Sequence, residues 1–264
     1  MTDTRLDIYL KNSLNISRQK TRELIEGGSV TVNGRLVLKP AFKISENDIV
    51  KAESTENVLK YVGRGGYKLE KAVDEFNIEI KGICIDIGAS TGGFTDCMLQ
   101  RGAQKVYAVD VGNNQLAEKL KNDKRVISME NTDIRTAEIE KVDFISCDVS
   151  FISLKKILDK ISELLKNEGK CVFLIKPQFE AGRENLNKKG IVKNPKIHKK
   201  VIRDVTECAG ENGLYVKALT FSPIRGGDGN IEYLALADKK NGNMIRLQDI
   251  DSVVEKAFVN FEKG

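Results

Sequence analysis

Apolar runs at residues 83–87, 105–109, 126–130, 142–147 and 170–175 alternate with stretches whose apolar residues recur at helical spacing. Consecutive apolar positions suit strands buried on both faces, and their alternation with helices predicts a doubly wound α/β sheet. Before the first run, Leu69, Ala72, Val73 and Phe76 fall at i, i+3, i+4 and i+7, the pattern of an amphipathic helix. After the fifth run the pattern predicts a helix from about 197, strands over 214–221 and 231–237, and a terminal helix from 245 through Val253, Val254 and Phe258. The two late strands fit an antiparallel hairpin closing the sheet.

The first 51 residues follow another rhythm. Leu6, Tyr9 and Leu10 have helical spacing, and Ser17 is placed to cap a second helix that turns Leu24 and Ile25 inward and stops at Gly27-Gly28. Residues 30–37 read as two short strands around an Asn33-Gly34 turn, with a last strand near 48–51. Residues 52–60 are polar and aperiodic. The expected division is a small α+β domain over 1–58, a linker over 59–64 and a large domain over 65–264.

Charge sharpens this division. The chain of 264 residues carries a formal charge of +5, but residues 1–51 hold nine Lys/Arg against six Asp/Glu and residues 183–203 hold eight against one. The remainder is net acidic, so the basic charge sits where a polyanion could be gripped. Five cysteines without a C-x-x-C pair read as buried thiols of a reducing compartment, with no disulfide or metal expected. No apolar stretch approaches the ~18 residues of a membrane span, and the first residues lack a secretory pattern; the expectation is a cytoplasmic protein without a membrane partner.

Candidate chemistry begins at the first strand, Ile83-Cys-Ile-Asp-Ile-Gly-Ala-Ser-Thr-Gly-Gly-Phe-Thr-Asp96. A buried strand breaking into a glycine-rich turn that opens a helix is a nucleotide-binding arrangement, yet the order Asp86-x-Gly88-x-x-x-Gly92-Gly93 is not the dinucleotide fingerprint. Asp86 suits a ligand with a cationic amino-acid tail, and Asp110, ending the second strand, suits ribose hydroxyls. S-adenosyl-L-methionine satisfies both. The expected cofactor contacts are Asp86, Gly88, Ala89, Ser90, Gly92, Gly93, Phe94 and Asp110, joined by Asp133 and Asp148 from the next strand ends.

Lys176 follows the fifth strand, and Lys68 opens a helix where the dipole disfavours a cation, so another group should want it there. The lysine-rich segment from Gly182 reads as a mobile loop, with Arg183, Lys188, Lys189 and Lys193 directed at RNA. His198, the only histidine, reads as a loop or helix-start residue with no partner.

Residues 5–34, R-L-D-x-x-L followed by S-R-x-x-x-x-x-L-I-x-x-G-x-V-x-V-N-G, closely resemble the S4-type (α-L) RNA-binding domain. The plain reading of Arg18, Lys20 and Arg22 is a solvated helix face. The resemblance implies instead that they face structured RNA with Arg5 and Arg35, and Arg64 is added to that set.

The stretches Arg64-Gly-Gly-Tyr-Lys68, 86–95, Cys147-Asp-Val-Ser-Phe-Ile-Ser-Leu154, Ile175-Lys-Pro-Gln-Phe-Glu180 and Gly229-Asn-Ile-Glu-Tyr233 closely resemble the TlyA (haemolysin A) proteins among the FtsJ-like methyltransferases. The resemblance covers nearly the whole chain. It implies a Rossmann-like class I methyltransferase fold and methylation of a cytidine ribose 2′-hydroxyl in 16S or 23S ribosomal RNA, free or within a subunit. By motif the implied catalytic tetrad is Lys68, Asp148, Lys176 and Glu232. Gly63 departs from the serine of the usual Val-Ser-Arg-Gly-Gly run, which leaves the tetrad intact but bears on the linker.

Lys176 is the candidate base. A free lysine has a pKa of about 10.4, so work near neutrality asks for a fall of about 2–3, roughly 3–4 kcal/mol. Two other readings stand beside this one: a non-catalytic rRNA-binding assembly factor, and a membrane-lysing protein.

Overall fold

The computed structural model describes residues 4–14, 16, 18–26, 29–52, 60–227 and 229–262. Ser17, Gly27, Gly28 and residues 53–59 lie outside the described residues, and residues 60–64 of the expected linker lie within them. The chain divides into two compact units, Met1–Arg64 and Gly65–Gly264.

The first unit contains β1 (Thr4–Arg5), α1 (Leu6–Leu14), α2 (Arg18–Glu26), β2 (Val30–Val32), β3 (Arg35–Leu36), β4 (Lys43–Ile44) and β5 (Val50–Ala52). An antiparallel sheet runs β3-β2-β5, and β1 pairs with β4. The β2–β3 turn puts Asn33 and Gly34 at φ 52° and 76°, the successive left-handed residues of a type I′ hairpin. Asn33 also fastens β5, its amide donating to Asp48 at 2.7 Å and its oxygen accepting from Ile49 N–H at 2.9 Å. Leu6, Leu10, Leu24, Ile25, Val30, Val32, Val37 and Ile44 form its core.

The second unit runs α3 (Gly65–Glu75), β6 (Ile83–Ile87), α4 (Gly93–Gln100), β7 (Lys105–Val109), α5 (Glu118–Lys121), β8 (Val126–Met129), β9 (Val142–Cys147), α6 (Leu158–Leu164), β10 (Leu165–Ile175), α7 (Pro177–Glu180), α8 (Pro195–Glu211), β11 (Tyr215–Phe221), β12 (Tyr233–Asp238) and α9 (Leu247–Glu262). Its seven strands are ordered β11-β12-β10-β9-β6-β7-β8, with β12 antiparallel to both neighbours and β8 through β10 parallel. The pleat sorts β6: Ile85 and Ile87 join the core shared with α6, α8 and α9, while Asp86 turns toward α4. α3 and α4 pack on one another, on β12 and on β7.

The strand order reverses between β6 and β9. In an open α/β sheet that reversal leaves a crevice at the carboxyl ends of the strands, and ligands bind there. An antiparallel strand instead reaches that rim with its first residue, which is why Glu232, immediately before β12, belongs to it.

Candidate functional site

A cavity of about 630 Å³ opens at the reversal point, in the range that takes a drug-sized ligand. Gly88, Ser90, Asp110, Asp133 and Asp148 line it, so strands β6, β7, β8 and β9 each contribute at or just beyond their ends. Gly88 is obligatory for two reasons. Its φ is +81°, and a Cβ there would stand 2.5 Å from the Asp148 carbonyl oxygen, so only glycine lets the turn close on β9. Asp110 is oriented by Ser90 N–H and Gly112 N–H, each at 2.7 Å to a different carboxylate oxygen, which leaves further lone pairs for a ligand diol. Asp133 is bridged by Arg135, which also lines the cavity.

Asp86 corrects an expectation. It is fully buried and does not line the cavity: Thr95 Oγ1 donates to it at 2.7 Å and Ser146 Oγ at 3.1 Å, beneath the glycine turn. The pleat of β6 explains this, since Asp86 alternates with the core-facing Ile85 and Ile87 and so points into the α4 layer. Ala89, Gly92, Gly93 and Phe94 are likewise buried and outside the cavity lining; they shape the turn and the start of α4.

Burial pushes the Asp86 carboxyl up to about 7, against the pull of the Thr95 and Ser146 hydrogen bonds. The folded state therefore binds a proton more tightly than the unfolded chain. Its stabilising contribution is complete below pH ~4 and is lost as pH rises to ~7, a span of roughly 4 kcal/mol. Asp86→Asn, which keeps an acceptor and needs no ionisation, is expected to flatten the melting temperature between pH 4 and 8 and to raise it at pH 8. A fall in melting temperature of equal size at pH 5 and pH 8 would contradict this.

At the same rim four charged side chains form one chain of ion pairs. Lys176 Nζ stands 2.6 Å from Asp148 Oδ1, Lys68 Nζ is 3.4 Å from Asp148 Oδ2, and Lys68 Nζ is 2.7 Å from Glu232 Oε2. Lys68, Lys176 and Glu232 are buried, at 8%, 7% and 2% exposure. Burial presses the Lys68 ammonium toward neutrality, but Asp148 and Glu232 outweigh it and its pKa ends above the ordinary value. Burial works against the Asp148 carboxylate too, and the charges of Lys68 and Lys176 outweigh it, holding its pKa below the usual range. The two carboxylates account for a lysine in the first turn of α3.

Several neighbours carry no signal in the pattern of the sequence. Ser150 Oγ accepts from Lys176 Nζ at 2.9 Å. The Glu180 carboxylate accepts from Ser153 Oγ and Leu154 N–H at 2.6 and 2.7 Å, tying the loop after β9 to the short helix that follows Lys176. Phe151 lines the cavity with 92% of its surface exposed and φ +64°, its ring 5.3 Å from that of Phe179. A bulky residue seldom adopts the left-handed region, so the backbone at Phe151 carries strain.

Gly226 matters through the space it leaves. A Cβ there would fall 2.3 Å from Glu232 Oε1, whereas one at Gly227 meets nothing within 4 Å. Gly226→Ala is therefore expected to push the carboxylate off Lys68 and lower activity by about 10²-fold, the scale of a 1 Å misplacement, while Gly227→Ala stays near wild type. Steady-state rates of the two variants, side by side, check this.

The basic residues fall in two places. In the first unit Arg18, Arg22 and Arg35 are exposed, and the side chain of Lys20 lies outside the described residues. Arg5 forks onto buried Asp7 at 2.8 and 2.9 Å, with Arg18 3.7 Å from the same carboxylate. Arg64 is half-buried. In the second unit Arg183, Lys188, Lys189 and Lys193 are exposed between α7 and α8. The segment read as mobile is fastened at several points: Asn187 Oδ1 accepts from Lys189 and Ile191 N–H, and Asn230 bonds Val192 and Gly190. His198 corrects the other expectation. It is wholly buried in α8 and both ring nitrogens have partners, Tyr233 Oη and the Val192 carbonyl, each at 2.9 Å.

Among the described residues no cluster suits a metal ion, and no helix is long and apolar enough to cross a membrane. The family model described as FtsJ-like methyltransferase matches residues 61–239, and that of the S4 domain matches residues 4–50. Hemolysin A of Brachyspira hyodysenteriae is 46% identical over 240 residues, 88% of this chain and 98% of its own. The 16S/23S rRNA (cytidine-2′-O)-methyltransferase TlyA of Mycobacterium tuberculosis is 35% identical over 259 residues, 96% of each chain. A solved structure from Streptococcus thermophilus that carries the name hemolysin shares 45% identity with a TM-score of 0.76, covering 100% of this chain and 98% of that one.

Proposed function

Because the chain belongs to the FtsJ-like methyltransferases and carries an S4 domain, we propose that it methylates a cytidine ribose 2′-hydroxyl of ribosomal RNA with S-adenosylmethionine as donor. The observation that carries this reading is the position of Asp148, which lines the cavity and pairs with both buried lysines. It puts a donor-sized pocket and a set of proton-handling groups on one carboxylate.

The cavity fits the donor. Gly88 leaves room against β9, Asp110 offers acceptors for a ribose diol, and Asp133 and Asp148 add carboxylate oxygens to the lining, each already paired with a cation of the chain. When bound, the sulfonium supplies an electrophilic methyl group. The chain's own residues prepare the other reactant. A ribose hydroxyl is a poor nucleophile until its proton is removed or its growing charge is met. In its neutral amine form Lys176 takes that proton and becomes the ammonium, with Asp148 2.6 Å away to balance the charge gained and Ser150 fixing Nζ. Lys68, held by Asp148 and Glu232, steadies the developing alkoxide. Phe151 offers an aromatic face on which a nucleobase drawn out of its stack can rest. The basic residues of the first unit and of the 183–193 segment grip the phosphates.

The test is incubation of the purified protein and radiolabelled S-adenosylmethionine with separated, unmodified 30S and 50S subunits, followed by mapping of the label. Label on a cytidine 2′-oxygen supports the reading and identifies the subunit. Donor binding without label on either subunit would replace it with the assembly-factor reading.

A further inference from the structure

The segment bearing Lys188, Lys189 and Lys193 is tied to the catalytic rim by a set of buried polar contacts that the reaction itself does not use. Residues 187–191 form a tight turn, closed by Asn187 N–H to Ile191 O at 3.1 Å and Gly190 N–H to Asn187 O at 2.9 Å. The turn leads into Val192, which is 3% exposed and has both backbone groups taken by side chains from elsewhere in the fold. Its N–H donates to Asn230 Oδ1 at 3.1 Å, and its carbonyl accepts from His198 Nε2 at 2.9 Å. Asn230 Nδ2 donates back to the Gly190 carbonyl at 3.0 Å.

The two clamping side chains lead to Glu232 from either side. Asn230 precedes it by two residues, and Tyr233, which follows it, is hydrogen-bonded to His198 Nδ1. A carbonyl can only accept, so His198 carries its proton on Nε2, and Tyr233 donates to Nδ1. Burial favours this neutral imidazole by lowering the His198 pKa, and it keeps the proton on the Tyr233 phenol. Asn230 and His198 are both wholly buried, and neither lines the cavity. The Asn230 amide and His198 Nε2 are spent on holding the turn, which a solvated charge run would not require.

We infer that Asn230 and His198 are positioning residues, which register the lysine-bearing turn against Glu232 so that the phosphate grip and the catalytic carboxylate form one rigid piece. This rests on the reading above that the turn contacts RNA. The RNA backbone is then fixed at a set distance from the tetrad, and Lys188 and Lys189 act as a ruler rather than as loose charge.

The experiment is a mutant cycle on the full-length protein with whichever ribosomal subunit accepts label. Asn230→Ala is combined with the pair Lys188→Ala/Lys189→Ala, and KM for the subunit, kcat, donor affinity and the salt dependence of subunit binding are measured. Loss of two phosphate contacts should raise KM roughly tenfold and reduce the slope of log K against log salt by about 1.4–1.8. Asn230→Ala is expected to show the same two changes with donor affinity unaltered, and the combined variant to show no further loss. His198→Phe, which keeps the ring packing on Phe258 but removes both hydrogen bonds, should repeat the result and guards against instability peculiar to Asn230→Ala. Losses that multiply in the combined variant, or a fall in kcat with KM and slope unchanged, overturn the inference while leaving the turn as an RNA contact. No effect of the lysine pair alone removes that contact and the inference together.

Discussion

Replacing Lys176 with alanine is expected to reduce methyl transfer by about 10³-fold or more while changing donor affinity by less than about threefold. General-base catalysis is worth about 10²–10⁴, and this variant also loses an ion pair that orients Asp148. The Lys176 side chain does not line the donor cavity, so donor binding has little to lose. Single-turnover rates with saturating subunit, set beside calorimetric donor affinity, separate the two effects. A hundredfold loss of donor affinity would make Lys176 a structural support of the cavity and move the base elsewhere.

Asp148→Asn is expected to be the more damaging change, because one carboxylate serves two buried cations. The substitution keeps the shape and removes the charge. Lys68 retains Glu232 at 2.7 Å, but Lys176 is left with the Ser150 hydroxyl as its hydrogen-bond partner. Leaving a buried charge without its counterion costs about 3–5 kcal/mol, enough to lower the melting temperature by several degrees in a domain of this size. Transfer and donor binding should both fall, since Asp148 also lines the cavity. An Asp148→Asn protein with wild-type melting behaviour would show that the lysines find compensation elsewhere.

Much of the fold can be read from the sequence because the strands that build it are buried on both faces. The apolar runs anticipate β6, β7, β8, β9 and the inner half of β10. The pair β1–β4 is not legible, because two-residue strands show no periodicity and are fixed by pairing alone. The tetrad could be placed on one rim by motif and by the rule for strand ends, yet its connectivity could not. That Asp148 is the shared partner follows from side-chain reach in three dimensions. Asp86 shows where such reasoning fails: an acid beside a ligand-binding glycine invites a ligand role, but the pleat of β6 turns it into the α4 layer. His198 fails in the opposite direction, since its partners Val192 and Tyr233 become neighbours only once α8 packs on the sheet.

The order of charges in the ion-pair chain has an electrostatic consequence. While Lys176 carries its proton, Lys176, Asp148, Lys68 and Glu232 alternate in sign and sum to zero, so the centre behaves as a compact multipole whose field decays within a few ångströms. Such a centre neither attracts RNA from solution nor repels a cationic donor. On the proposed function, capture at a distance is left to the exposed arginines and lysines, which sense salt, while the neutral centre is almost blind to it.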